Sequence, residues 1–210
     1  MASPTATSDK LTVLLSRQEI AQAVERIAAE IRRDYASFVS LQAYGSTSSP
    51  RTGISPVRPE PVEGHAQPPL LMIGILRGAF IFMADLVRAL DMPVTVDFVR
   101  ISTYGSGTRS SGKPRIAQGV RSPIRGQHVL VVEDIVDSGI TTSFLVDYLK
   151  KNGAASVKLC AMLSKPSRRQ VDVAIDYLGF TVPDLFVVGY GLDFAQRYRW
   201  LPDICVLEQK

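Results

Sequence analysis

Cysteine and histidine are scarce in this chain of 210 residues, with two of each. Cys160 and Cys205 lie in apolar runs, VKLCAML and ICVLE, and no CxxC pair occurs. Buried reduced thiols are therefore expected, not a disulfide framework, a structural metal or a redox pair. His65 falls in a Pro/Gly/Ser-rich segment and His128 at the start of a strand-like run, so histidine-based zinc ligation or a Ser/His/Asp triad is not expected. Long apolar runs are also missing. The greasiest stretch, LLMIGILRGAFIFMADLVRAL, is broken by Arg77 and Asp85 and is too short between charges to span a bilayer. The first residues, MASPTATSDK, have no apolar core of a secretory signal, so a cytoplasmic protein without membrane contact is expected. No GxxxxGK[ST] run exists; GSGTRS begins like GxGxxG but lacks its third glycine and opens no helix. Nor is there a strong charge bias. Lysine and arginine number 24 against 20 acids, a surplus of four that suits an anionic small substrate as well as RNA.

What is present reads as one domain over 1–210, long enough to bury a core unaided. SRQEIAQAVERIAAEIRRDY predicts an amphipathic helix, opened by a capping box of Ser16 and Glu19, with Ile20, Val24, Ile27 and Ile31 on one face. Residues 44–69 are dense in Pro, Gly and Ser and nearly devoid of core-forming side chains, which predicts a disordered insertion. From residue 70 the pattern alternates. LLMIGIL, PVTVDFVRIST, HVLVVED, SVKLCAML, VDVAIDYLGF and LFVVGYGL read as strands. AFIFMADLVRAL and TSFLVDYLKKN, the latter ended by Gly153, read as helices. Continuous apolar strands separated by helices predict an α/β fold, a mostly parallel sheet flanked by helices. Ligands of such sheets bind beyond the carboxyl ends of the strands.

One of those ends is unusual. VLVVEDIVDSGITT, residues 129–142, runs from greasy strand into Glu133, Asp134 and Asp137, then Ser138, Gly139, Thr141 and Thr142. Acids at a buried strand end are costly to desolvate unless something pairs with them. Ionised carboxylates only accept, which suits them to vicinal ribose hydroxyls or to Mg²⁺. DSGITT then turns into a helix, whose first N–H groups, glycine and hydroxyls make an anion cradle. Asp137 stands between the two parts, placed to accept or deliver a proton. The bland alternative is a strand end with Asp137 or Ser138 capping the helix. Three acids and a Ser-Gly-x-Thr run in this order favour a site for a phosphorylated sugar.

The run VVEDIVDSGIT resembles the phosphoribosyl-pyrophosphate signature of type I phosphoribosyltransferases, and other segments resemble the hypoxanthine-guanine branch of that family. The resemblance covers residue 70 to the C-terminus. It implies the type I phosphoribosyltransferase fold, with a small hood built from the terminal segments; the 44–69 insertion departs from the pattern. It implies ribose and phosphate binding by Glu133, Asp134, Asp137, Ser138, Gly139, Ile140 and Thr141, with Asp137 catalytic. GILRGAF resembles the family's Leu-Lys-Gly loop, which binds pyrophosphate through a cis peptide. That gives the role to Arg77, in place of the common lysine, and Gly78, with Arg199 reaching the same group. MLSKPSRR matches the segment whose lysine, here Lys165, donates to the purine's exocyclic oxygen. DLFVVGYGLDFAQRYR matches the base-stacking strand, implying that Phe186 covers the purine, Val187 presents backbone groups to it, and Asp193 lies by it and helps Glu133 and Asp134 hold Mg²⁺.

From Ile101 to Gly126 the chain is rich in glycine and carries Arg109, Lys113, Arg115, Arg121 and Arg125 without an acid. A flexible cationic loop beside a polyphosphate site reads as a lid over residues 101–126. The family has such a lid, with a Ser-Tyr pair that Thr103 and Tyr104 resemble. The implied activity is transfer of phosphoribosyl from phosphoribosyl pyrophosphate to a 6-oxopurine in purine salvage, by a homodimer or homotetramer, without nucleic acid. Two alternatives stay open. One is a regulator of the same fold that senses the sugar and contacts nucleic acid, against which stand the acid pair, Lys165 and the absence of a DNA-binding domain. The other is a related transferase using xanthine, adenine or a pyrimidine. Lys165 favours a 6-oxo acceptor over adenine but does not separate hypoxanthine from guanine.

Overall fold

A computed structural model describes residues 10–43, 70–102 and 114–208, and the side chains of these except 37–43. The expected 44–69 insertion, Thr103 and Tyr104 of the lid pair, and Arg109 and Lys113 lie outside the described residues.

The described residues open with β1 (Lys10–Leu15) and α1 (Arg17–Ala43), then β2 (Leu71–Leu76), α2 (Phe80–Leu90), β3 (Thr95–Ser102) and β4 (Arg115–Gln118). It continues through β5 (His128–Val136), α3 (Ile140–Lys151), β6 (Ser156–Ser164), a 3₁₀ turn (Pro166–Arg168), β7 (Tyr177–Thr181), β8 (Val187–Val188) and β9 (Ile204–Glu208). The capping box forms as expected. Ser16 N and Oγ both donate to Glu19 Oε2, at 2.8 and 2.7 Å, and Glu19 N donates to Ser16 Oγ at 3.3 Å.

The main sheet has six strands in the order β4-β3-β2-β5-β6-β7, parallel except for β4 at the edge. Its faces separate by the strand period of two. Leu70 and Met72 of the β2 region and Leu130 and Val132 of β5 face α1 and α2. Leu71, Ile73, Val129 and Val131 face Leu145 and Leu149 of α3. Val129, Leu130, Val131 and Val132 are all fully buried, each contributing about 1.5–3 kcal/mol. That double burial explains the continuous apolar run. Among the described residues no helix is long and apolar enough to cross a membrane.

Parallel neighbours need crossovers, and here β2 crosses to β3 on one side while β5 crosses to β6 on the other. The direction of winding therefore reverses between β2 and β5. Their carboxyl ends diverge there and leave a crevice, the place where open α/β sheets bind ligands. The second sheet, β1-β9-β8, joins the first and last described segments into the expected hood.

Three expectations need correction. VDVAIDYLGF is strand only over Tyr177–Thr181, because Asp172, Val173 and Ala174 run as irregular chain before the sheet edge. LFVVGYGL contributes only Val187–Val188, and to the hood, because Gly189 and Tyr190 take positive φ (99° and 51°) and bend the chain away. The 101–126 loop is not loop throughout: β4 pairs antiparallel with β3, through Arg100 with Gln118 and Ile101 with Ile116.

Candidate active site

Two loops meet at the crevice. The first follows β2, where the Leu76-Arg77 peptide is cis, as the resemblance implied. Gly78 comes next and has no room for a side chain, since a Cβ would overlap the Asp134 carboxylate. Arg77 is exposed at the mouth of this loop. Its Nη1 donates to Gln196 Oε1 at 2.9 Å, tying this loop to the segment before the hood's last strand.

The second loop leaves β5. Glu133 is 7% exposed at the strand end. Its carboxyl is held well above the ordinary range, first by burial and then by the negative charge of Asp134. Asp134 is also raised by burial, which hydrogen bonds and the nearby Arg199 charge only partly oppose. The acid pair thus sits in a largely enclosed place with too little positive charge nearby to offset its burial. Asp137 lies beyond. Its Oδ1 is enclosed and faces Arg168 Nε at 3.1 Å as an ion pair without a directed hydrogen bond. Arg168 also reaches Asp184 at 3.3 Å.

The turn into α3 centres on Gly139, at φ 80° and ψ −11°. Only glycine adopts this conformation freely, and a Cβ there would overlap the Val171 carbonyl. Neither Asp137 nor Ser138 is the helix cap; Gly139 holds that position, and Ser138 Oγ accepts only a long 3.4 Å bond from Ile140 N. The first amides of α3 are therefore left to an incoming anion. Thr141 is half-buried beside them and Thr142 is buried at 3% exposure.

Lys165 follows β6 and is 6% exposed, with Nζ donating to Leu185 O at 2.6 Å. A lysine this deep is not an ordinary solvated one. Phe186 beside it is 43% exposed, its ring nearly perpendicular to that of Phe194 with centroids 5.6 Å apart. Val187 is buried and pairs with Val206 in the hood. Asp193 accepts from Arg199 Nη2 at 2.7 Å and from Gln196 N at 2.8 Å, with both ionic side chains mostly buried. Arg199 Nη1 also donates to the Gly191 carbonyl at 2.6 Å. Tyr190, Ala195, Gln196 and Tyr198 all take positive φ (51°, 50°, 65° and 75°), at about 1–3 kcal/mol each.

The crevice brings together Arg77, Gly78, Glu133, Asp134 and the 137–142 turn, with Asp193 and Arg199 tied in through Gln196 and Asp134. Lys165 and Phe186 form a neighbouring wall. Sequence reasoning missed Gln196, Arg168, Arg169 and Asp184; the two arginines stand inside MLSKPSRR, four residues or fewer from Lys165. Among the described residues no three His, Cys, Asp or Glu side chains cluster as a ready metal site. The donors present are hard carboxylate oxygens, the kind that hold Mg²⁺ jointly with substrate phosphates. A groove of about 540 Å³ between α1, α2 and the hood, lined by Ile20, Val24, Ile81, Tyr190 and Trp200, contains none of these acids or cradle amides. The acids and the cradle amides gather instead at the strand-end crevice.

Comparison with known proteins agrees. Residues 63–195 match the phosphoribosyl transferase domain. The chain is 50% identical over 138 residues to the bifunctional protein TilS/HprT of Listeria monocytogenes, covering 66% of this chain but only 21% of that longer protein. It is 38% identical over 196 residues to the hypoxanthine-guanine phosphoribosyltransferase of Bacillus subtilis, covering 93% of this chain and 92% of the relative. A crystal structure of a hypoxanthine phosphoribosyltransferase from Staphylococcus aureus superposes with a TM-score of 0.75 at 32% identity, covering 99% of this chain and 96% of that one. The chain belongs to the phosphoribosyltransferase family, in its hypoxanthine-guanine branch.

Proposed function

We propose that the protein transfers the 5-phosphoribosyl group from phosphoribosyl pyrophosphate to a nitrogen of hypoxanthine or guanine, giving IMP or GMP and pyrophosphate. The observation that carries this reading is the buried acid pair at the sheet's switch point, flanked by the Gly139 turn and the cis Leu76-Arg77 loop.

In this reading the turn amides from Ser138 to Thr141 bind the 5′-phosphate, and Glu133 and Asp134 bind the ribose hydroxyls. Arg77, the Gly78 backbone and Arg199 receive the pyrophosphate. Lys165 donates to the purine's exocyclic oxygen, Phe186 stacks on the ring, and Val187 presents its backbone to the base. As the bond from C1′ to pyrophosphate breaks, its electron pair leaves with pyrophosphate and the ribose ring gains oxocarbenium character. The purine nitrogen supplies the pair that forms the new bond, and Asp137 manages the proton at N7. Cationic donors at the leaving group meet the largest electrostatic demand. Glu133, Asp134 and Asp193 would hold Mg²⁺, which supplies further charge neutralisation for the pyrophosphate when bound.

The test is direct. Purified protein with phosphoribosyl pyrophosphate, Mg²⁺ and each of hypoxanthine, guanine, xanthine and adenine is assayed for nucleotide and pyrophosphate in equal amounts. Turnover with the 6-oxopurines well above adenine supports the reading. Turnover with adenine alone, or none with any base, overturns it.

A further inference from the structure

Three consecutive carbonyls, of Val136, Asp137 and Ser138, line the back of the phosphate turn, and the loop after β6 engages all three. Lys165 N donates to Val136 O at 3.0 Å, and Gln170 N and Val171 N donate to Ser138 O at 2.9 and 3.0 Å. The middle carbonyl is held differently. Arg169 Nε donates to Asp137 O at 3.2 Å, while its Nη2 reaches Val136 O at 3.4 Å and Ser164 Oγ at 2.9 Å. Ser164 is buried at the end of β6 and pairs with Val136 across the sheet, so the guanidinium is braced on both strands. Its side chain also passes behind Gly139, where a Cβ would sit 2.9 Å from Arg169 Cδ.

A trans peptide is planar, so fixing a carbonyl on one side directs the following N–H to the other. The carbonyls of Val136, Asp137 and Ser138 point toward the 165–171 loop. The amides of Asp137, Ser138 and Gly139 therefore point toward the crevice. For the Asp137-Ser138 peptide the bond to Arg169 is a side-chain contact, and it sets the direction of the Ser138 amide. The same loop carries Lys165, so one short segment serves both the phosphate turn and the base wall.

We infer that Arg169 is a positioning residue for the 5′-phosphate: its planar fork holds the peptides behind the turn so that their amides face the anion. The inference rests on the proposed function. Arginine suits the task because its rigid donors can meet several acceptors at once, which a lysine ammonium on a flexible stem does not reproduce.

The experiment compares Arg169→Ala, Arg169→Lys and the unsubstituted protein by steady-state kinetics, and by calorimetric binding of ribose 5-phosphate. For Arg169→Ala, KM for phosphoribosyl pyrophosphate and Kd for ribose 5-phosphate rise about 10- to 100-fold, the scale of a misplaced binding group. KM for hypoxanthine stays within about threefold, the split expected when one subsite is disturbed. Millimolar guanidinium restores part of the loss, whereas methylammonium does not. Arg169→Lys recovers the charge but not the affinity, and it carries the test if the alanine variant does not fold. Unchanged ribose 5-phosphate binding, full recovery by lysine, or an equal rise in both KM values without guanidinium rescue would overturn the inference. Absence of phosphoribosyl transfer in the unsubstituted protein would instead overturn the proposed function.

Discussion

Replacing Lys165 with methionine isolates what the buried ammonium does. Methionine keeps an unbranched apolar stem of similar length, so the packing around this 6%-exposed side chain is largely retained. The ammonium has three donors, and the Leu185 carbonyl takes one of them at 2.6 Å. Two remain for an incoming acceptor, such as the exocyclic oxygen of hypoxanthine or guanine. A hydrogen bond from a charged donor contributes about 1.5–3 kcal/mol, so its loss lowers kcat/KM for hypoxanthine and guanine roughly 10- to 150-fold. Adenine presents an amine at the same position and gains nothing from the lysine, so its rate is expected to change by less than about twofold or to rise. The assay is steady-state turnover with each base at saturating phosphoribosyl pyrophosphate. Two results refute the reasoning: an unchanged rate with hypoxanthine, or a loss that falls equally on adenine.

Other outcomes follow from the same geometry. Gly78→Ala drives a methyl group into the Asp134 carboxylate and is expected to cut kcat/KM about 100-fold with the fold intact, checked by kinetics beside circular dichroism. Glu133→Gln removes a buried acid whose folded pKa is raised, so the gain in stability is absent at low pH and grows as pH rises above the ordinary carboxylate range. Thermal denaturation at pH 8 should show about 1–2 kcal/mol of stabilisation with activity lost, and no difference between pH 5 and pH 8 would contradict it. Asp34 lies by the amino ends of the strands, where its carboxyl accepts from Lys158 at 2.6 Å and Tyr177 at 2.6 Å, and the lysine bond chiefly lowers its pKa. Its stabilising share is present above the ordinary carboxylate range and is lost as pH falls through the lowered value. Asp34→Asn should cost about 0.5–1 kcal/mol in denaturant melts, given solvent screening, and leave turnover untouched.

The sheet was legible because β5 and β2 are buried on both faces and therefore read as unbroken aliphatic runs. The acid cluster was legible because nothing in a buried strand end explains Glu133, Asp134 and Asp137 together. Other features depend on contacts between distant segments, and no local pattern reports them. The Arg77-Gln196 bond joins residues 119 apart in sequence, and the Arg169 bonds reach back 32 and 33 residues to the phosphate turn. VDVAIDYLGF and LFVVGYGL pair over less of their length than their valine content predicts, because the edge of the sheet and the Gly189-Tyr190 bend limit how much of each can pair. In the MLSKPSRR segment the family resemblance reports Lys165 alone, while the contacts of Arg168 and Arg169 are made with distant residues and carry no local pattern.

If phosphoribosyl transfer occurs at the end of β5 with Asp137 handling the proton, Asp137→Asn must abolish most turnover without disturbing the fold. Asparagine keeps the size of the side chain and removes its ability to take a proton. Turnover with hypoxanthine should fall by about 10²–10⁴-fold, while Kd for phosphoribosyl pyrophosphate and the melting temperature stay close to those of the unsubstituted protein. A turnover rate equal to that of the unsubstituted protein would contradict the account.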